Sequence, residues 1–301
     1  MFNFLRKQVR TNYLVQIIAS FIYSLFYFLE NKNKITIFNR NVFWFHETAL
    51  GKFASTHPTR KAEQYLLNEF PYFIKHYECK AGDIIFDAGA GIGTEVIYFS
   101  KLVGNTGKVY ALEANPNVYK YLLQTIKINN LKNVIPINLA VFSKSKKKIN
   151  FSSNTTDWLG GKIDSDGGDI FVNTITFDDI VEKYKLSNIN FAKFNIEGAE
   201  KYLISGQQKF IKNCKNVSIS CHDFLENEND SYTYKDIKSL LFNNRFKLLE
   251  DNKNIKNLQK DKYFYIYASK NNDIKKKCYV DLPVDVNKFY LKFIKKKMIK
   301  S

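Results

Sequence analysis

Four places in this chain carry residue types that could do chemistry together. The first is Asp87-Ala88-Gly89-Ala90-Gly91-Ile92-Gly93-Thr94-Glu95, an acid followed by three alternating glycines. The second is Glu113, at the end of an apolar run about 20 residues past the glycines, where a carboxylate can accept from both hydroxyls of a ribose. The third is Glu197, in Lys193-Phe194-Asn195-Ile196-Glu197-Gly198-Ala199-Glu200, and the fourth is His222, in Ser220-Cys221-His222-Asp223. Glycines let the backbone turn sharply and let a ligand approach it. A helix starting there presents free N–H groups and a positive dipole end. A dinucleotide loop needs G-x-G-x-x-G, but Thr94 stands where its last glycine belongs, and Asp87 would repel a pyrophosphate. An acid in that position accepts instead from an ammonium group. The loop therefore points to a cationic, zwitterionic ligand such as S-adenosylmethionine; a glycine turn needed only for packing is the alternative.

The elements that must hold these residues follow a βα rhythm. Ile84-Ile85-Phe86 reads as a strand covered on both faces. Lys108 to Glu113 reads as a second strand and Val118 to Ile128 as an amphipathic helix. A third strand is expected over 133–140, and its Pro136, lacking an N–H, belongs at a sheet edge. The expected cofactor contacts are Asp87, Ala88, Gly89, Gly91, Gly93, Glu113, Ala114 and Ala140, the last within the stretch 138–141 that topology brings toward an adenine. Further strands are expected at 189–196, 216–221, 246–250 and 263–268, with 251–261 as a hairpin loop and a helix over 234–242.

Three blocks resemble the FkbM family of S-adenosylmethionine-dependent methyltransferases. They are Gly82-Asp83 through Glu95, Val109-Tyr110-Ala111-Leu112-Glu113-Ala114-Asn115-Pro116, and Lys193 through Glu200, the last similar to the family's K-x-D-x-E-G-x-E signature. Asn130-Leu131 and Thr176-Phe177-Asp178-Asp179 fit the same pattern, and the likeness runs over residues 71–225. The resemblance implies a doubly wound, seven-stranded α/β sheet of the class I, Rossmann-like methyltransferase type. It also implies S-adenosylmethionine as cofactor and the hydroxyl of a sugar or secondary metabolite as acceptor. This chain has Asn195 where the family often has Asp, and an amide is no general base. That departure keeps a second class open, a binding protein that has lost catalysis; an NAD-dependent oxidoreductase is a third.

Methyl transfer is an in-line displacement, so the protein must align nucleophile and methyl and often removes a proton. The candidates are Glu197 and His222, each ending a strand beside the loop. The alternatives are structural: Glu197-Gly198 as a tight turn capping the next helix, and His222 as a core histidine. No spacing marks a metal site.

The chain has 46 Lys+Arg against 29 Asp+Glu, a formal charge of +17. Its lysines cluster in short runs such as Lys146-Lys147-Lys148, with no RNA-binding signature, and no nucleic-acid partner is read from charge alone. Cys79, Cys214, Cys221 and Cys278 form no C-x-x-C pair, which suits a reducing, cytoplasmic compartment. The organisation expected is an N-terminal extension (1–79), a methyltransferase domain (80–271) and a basic tail (272–301). Within the extension, 14–29 reads as an apolar helix lying on a membrane or on the domain, 34–45 as a hairpin turning at Asn39-Arg40-Asn41, and 59–70 as a helix. The segment 286–300 is also amphipathic. Both ends could hold the protein at the inner face of the membrane, near lipid-linked glycans, or could pack on the core or on a partner chain.

Overall fold

The computed structural model describes residues 12–31, 36–40, 43–48, 51–55, 70–153, 161–164, 167–222, 233–249 and 264–271. All but the last residue of the expected helix over 59–70, the loop 251–261, Asp223, Cys278 and the tail 272–301 lie outside the described residues.

A seven-stranded sheet organises the chain, in the spatial order β13-β14-β12-β11-β4-β5-β6. β4 (Ile84–Ala88), β5 (Lys108–Leu112), β6 (Val134–Ile137), β11 (Phe191–Phe194) and β12 (Asn216–Cys221) run parallel. β14 (Phe264–Ser269) runs antiparallel to β12, and β13 (Lys247–Leu248) antiparallel to β14. β6 is the edge strand, so Pro136 sits where the sequence asks for it. From β4 the chain builds outward to β5 and β6 on one side, then returns to add β11 and β12 on the other. The end of β4 is thus the switch point where open α/β sheets bind ligands.

Alternate residues of each strand feed two cores. Ile85, Val109 and Phe191 pack with Phe70, Val96, Phe99 and Leu122 on one face. Phe86, Ala192, Phe194 and Ile219 pack with Phe177, Phe210, Ile237 and Leu241 on the other. Phe86 meets Tyr110 face to face at 4.9 Å and Phe210 edge-on at 5.5 Å. Each phenyl so buried contributes on the order of 1.5–3 kcal/mol, which is where the many phenylalanines are spent. The covering helices are α3 (Thr94–Val103) and α4 (Pro116–Ile128) on the first face, and α5 (Phe177–Lys183), α6 (Gln208–Asn213) and α7 (Thr233–Asn243) on the second, all in chain order after α1 and α2 below. Asn115 caps α4 by accepting from the Asn117 N–H at 2.9 Å, with Pro116 at the first turn.

Two additions depart from the sequence reading. The expected third strand splits: after β6, Ala140–Val141 forms β7 of a separate four-stranded sheet, ordered β7-β10-β8-β9. Here β10 (Ile170–Ile175) pairs parallel to β7 and antiparallel to β8 (Lys148–Ser152), which carries β9 (Lys162–Ile163). At the N-terminus the hairpin is a three-stranded antiparallel sheet, β1 (Thr36–Arg40), β2 (Phe43–Thr48) and β3 (Gly51–Ser55), and Arg40 pairs with Phe43 rather than turning. β3 is tied to α4: the Ala54 N–H donates to Thr125 Oγ1 at 3.0 Å, and the Lys52 N–H to Asn129 Oδ1 at 3.0 Å. Helix α1 (Tyr13–Asn31) packs along β1, with Tyr23 edge-on to Trp44 at 6.2 Å. No helix among the described residues is long and apolar enough to cross a membrane. A short α2 (Phe70–Phe73) precedes β4.

Candidate functional site

Strand register sets the site. Asp87 on β4 stands opposite Lys193 on β11, both on the α3 face of the sheet, and both side chains are fully buried. Lys193 Nζ lies 3.0 Å from Asp87 Oδ1, 3.1 Å from Glu95 Oε1 at the start of α3, and 3.1 Å from the Gly89 carbonyl. Phe73 of α2 covers it, with its ring centre 5.1 Å from the ammonium. Burial alone would lower the Lys193 ammonium, but Asp87 and Glu95 together outweigh it and raise it. Two carboxylates compete for that one cation, and burial lifts the Asp87 carboxyl to about 6 against the pull of Lys193.

The glycine loop is needed first by the chain itself. Gly89 has φ +80°, and a Cβ there would lie 1.9 Å from the Asn195 carbonyl at the end of β11. Gly93 has φ +90°, and a Cβ there would press on Leu122 and Thr125 of α4. At these two positions the packing of the chain itself already calls for glycine. The loop is held against β5 by the Gly89 and Ala90 N–H groups, which both donate to the Leu112 carbonyl. Glu113 then locks the loop's tip: one carboxylate oxygen accepts from the Gly91 N–H at 2.9 Å, the other from the Asn115 N–H at 2.8 Å. Burial pushes Glu113 up to about 7, against those two hydrogen bonds.

The arrangement fits a cationic ligand. Asp87, Glu95 and Glu113 are three buried acids served by one buried base, Lys193. Asp87 Oδ2 is buried and accepts no hydrogen bond from any described residue. That oxygen keeps its acceptor capacity, which is what the sequence asked of Asp87, while the chain's own Lys193 takes the other oxygen. Of the remaining expected contacts, Ala88 is buried at the end of β4, between Leu112 and Phe194. Ala114 follows Glu113 and packs on the cluster of Ala140, Phe151 and Val172. Ala140 is buried in the second sheet opposite Thr174. Asn138 Nδ2 donates to the carbonyls of Glu113 and Ala114 at 2.8 and 3.2 Å, fixing the strand end that carries the acid.

A second cluster lies beyond the ends of β11 and β12. Glu197 has φ +53°, a left-handed backbone unusual for a residue with a Cβ, and Gly198 follows at φ +89°. The turn is tied by Glu200 rather than by Glu197: its two oxygens accept from the Ile196 N–H at 3.0 Å and the Gly198 N–H at 2.9 Å. Glu200 Oε1 also lies 2.9 Å from His222 Nδ1. A carboxylate only accepts, so Nδ1 carries the proton and Nε2 faces Glu197, whose Oε2 is 3.6 Å away. Glu200 and His222 are buried, while the Glu197 side chain keeps 26% exposure. Burial would lower the His222 ring's affinity for a proton, but the Glu200 hydrogen bond and charge raise it. Burial raises Glu197, partly offset by His222. The structure therefore brings Glu197 and His222 together as expected. Sequence reading gave no role to Lys193, Glu95 or Glu200. Lys193 and Glu200 both sit in the K-x-N-x-E-G-x-E block, where their spacing was the available signal. Among the described residues no group of three His, Cys, Asp or Glu side chains is placed to hold a metal.

A doubly wound sheet with an acid-glycine loop at its switch point and an acid ending the next strand defines an α/β protein of the nucleotide-cofactor class. The model of the methyltransferase FkbM domain matches residues 87–248, more than half of the chain, and the protein belongs to that family. It is 26% identical over 145 residues to the hexuronic acid methyltransferase AglP of Haloferax volcanii, covering 48% of this chain and 58% of that one. It is 30% identical over 180 residues to a tRNA (guanine-N(7)-)-methyltransferase of Mycoplasmopsis synoviae, covering 57% of this chain and 85% of the relative. A shorter match, 46% identical over 55 residues, covers only 22% of an aminocarboxypropyltransferase of Methanocaldococcus jannaschii. The chain thus spans little more than half of the first relative and about a fifth of the last. A solved FkbM methyltransferase from Methylobacillus flagellatus superposes with a TM-score of 0.43 at 15% identity, over 69% of this chain and 50% of that one.

Proposed function

We propose that residues 80–271 form an S-adenosylmethionine-dependent methyltransferase domain that methylates a hydroxyl of a sugar or other small molecule, on the cytoplasmic side. The observation that carries this reading is the Glu200–His222–Glu197 chain, set at the strand ends beside the glycine loop. When bound, S-adenosylmethionine supplies an activated methyl group. Asp87 Oδ2 would accept from its ammonium, and Glu113 from its ribose hydroxyls through lone pairs not used by Gly91 and Asn115. Its positive charge would offset the excess of buried acid around Lys193.

The chain's part in the reaction is proton traffic and alignment. Glu200 holds His222 with Nδ1–H toward itself, so Nε2 is the atom that can take a proton from an acceptor hydroxyl. Glu197, open to solvent on one side, orients that hydroxyl or relays its proton outward. Asn195 is not needed as a base in this scheme, so the departure from the family pattern does not argue for an inactive protein. The sugar acceptor is supported by the name of the haloarchaeal relative, the RNA alternative by that of the mycoplasmal one.

The test is transfer of labelled methyl from S-adenosylmethionine to glycan extracts and, separately, to total RNA. Label in glycan that is lost in both His222→Gln and Glu197→Gln supports the reading. Label in RNA alone, or wild-type turnover in both variants, overturns it.

A further inference from the structure

Helix α1 turns the wrong side to water. Its polar residues form one stripe, Gln16, Ser20 and Ser24, and that stripe is the half-buried side. Its large apolar residues point outward: Leu14 is 68% exposed, Ile18 58%, Phe21 68%, Ile22 57% and Phe26 57%. A surface helix of a protein surrounded by water does the reverse. Helix α4 of this same chain does so, burying Val118 and Leu122. A continuous apolar stripe of this kind marks a surface that something else covers.

Charge says what covers it. The first 46 residues contain Arg6, Lys7, Arg10, Lys32, Lys34 and Arg40 against Glu30 alone. The cations stand in sequence on both sides of the helix. Two copies packed through their α1 faces, parallel or antiparallel, would set cation-flanked helices against each other, and like charges repel where salt does not screen them. An anionic surface instead pairs with both ends at once. The helix is not of a length and apolarity to span a bilayer. We propose that α1 lies in the interface of an anionic lipid bilayer, its apolar stripe sunk toward the acyl chains and its polar stripe turned to β1. The catalytic domain would then be held at the membrane surface.

The test uses the full chain and does not depend on its activity. Flotation with phosphatidylcholine vesicles, with and without phosphatidylglycerol, should show binding that needs the anionic lipid and weakens at high salt. The quadruple variant Ile18→Ser/Phe21→Ser/Ile22→Ser/Leu25→Ser should lose vesicle partitioning at least about tenfold while keeping the wild-type melting temperature, because these side chains touch water already. Three results would overturn the proposal: wild type that stays in the supernatant, binding that the serine variant retains in full, or a wild-type dimer that the serine variant converts to monomer without any vesicle binding. The last result would assign the face to a second copy.

Discussion

The two halves of the site use the same components to opposite ends. In the cofactor half, one cation, Lys193, sits between two acids at 3.0 and 3.1 Å with all three side chains closed from water. In the acceptor half, His222 sits between Glu200 at 2.9 Å and Glu197 at 3.6 Å, and only the nearer acid is closed. A lysine between two carboxylates keeps its proton and holds two strands and a helix in register. A histidine with one firm partner and one loose, half-open partner can exchange its proton. In the proposed function, the first cluster would fix where a cofactor lies; the second leaves one group facing whatever arrives.

This contrast predicts different costs when each cluster is broken. The largest is for Lys193→Met, which strands Asp87 and Glu95 in a closed site. Removing one partner of a buried pair typically costs about 3–5 kcal/mol, so urea denaturation should show a loss of that order. Adding Asp87→Asn should recover part of it, since an amide needs no cation. A Lys193→Met protein as stable as wild type would mean that the triad is not the brace described.

Glu200→Gln should come next, with turnover reduced about a hundredfold and little change in KM, because Glu200 touches His222 rather than substrate. A merely structural role would lower activity equally at every pH. As a positioning residue, Glu200 holds the His222 pKa up, so its loss must lower that pKa. The acid limb of kcat/KM should therefore move to lower pH in Glu200→Gln, and a limb that stays in place argues against the His222 role.

How much of this was legible depends on where the partners lie along the chain. Asp87, the glycines and Glu113 lie within 30 residues, and their chemistry follows from that spacing. The seven strands were readable because each is an apolar run bounded by turn residues, although edges shifted where a single bridge, such as Ile189 to Cys214, replaces a ladder. Lys193 was not assigned because its partner is 106 residues away and only strand register pairs them. Glu200 was hidden by Glu197, which looks like the better cap from sequence; the left-handed φ at Glu197 hands the capping to the next acid. The four-stranded insertion escaped because Ala140–Val141 continues the pattern of β6 and changes sheet without a composition signal.

Cofactor affinity should change more modestly with pH. Asp87 and Glu113 are lifted to about 6 and about 7 by burial. A bound cation favours their ionised forms, so binding releases protons, and affinity must rise as pH passes from 6 to 8, on the order of tenfold for one proton released per pH unit. Calorimetry in buffers of different ionisation enthalpy measures that release directly. In Glu113→Gln both the affinity and its pH dependence should fall; an affinity that is flat from pH 6 to 8 in wild type would remove Asp87 and Glu113 from the site.

The smallest expected effect is on stability, and in both halves it has the same sign. His222 is raised in the folded protein, so it binds more protons there than in the unfolded chain once pH exceeds its ordinary value of about 6.5. Its contribution is fully present below that pH and is lost as pH rises through the raised value. Hydrogen bonds to a charged group contribute on the order of 1.5–3 kcal/mol, so wild type should exceed His222→Gln in melting temperature most clearly near pH 6, with the gap narrowing above neutrality. The buried acids act in the opposite sense from the paired carboxylates of most proteins. Asp87 and Glu113 are raised, so they too favour the folded state at low pH and oppose it as they ionise. Without ligand, their contribution should therefore decline between about pH 4 and pH 7, and S-adenosylmethionine should flatten that decline. A ligand-free protein that grows more stable over the same range would show that the acids are satisfied without a cation, and that the cofactor half is no more open to a ligand's charge than Lys193 already makes it.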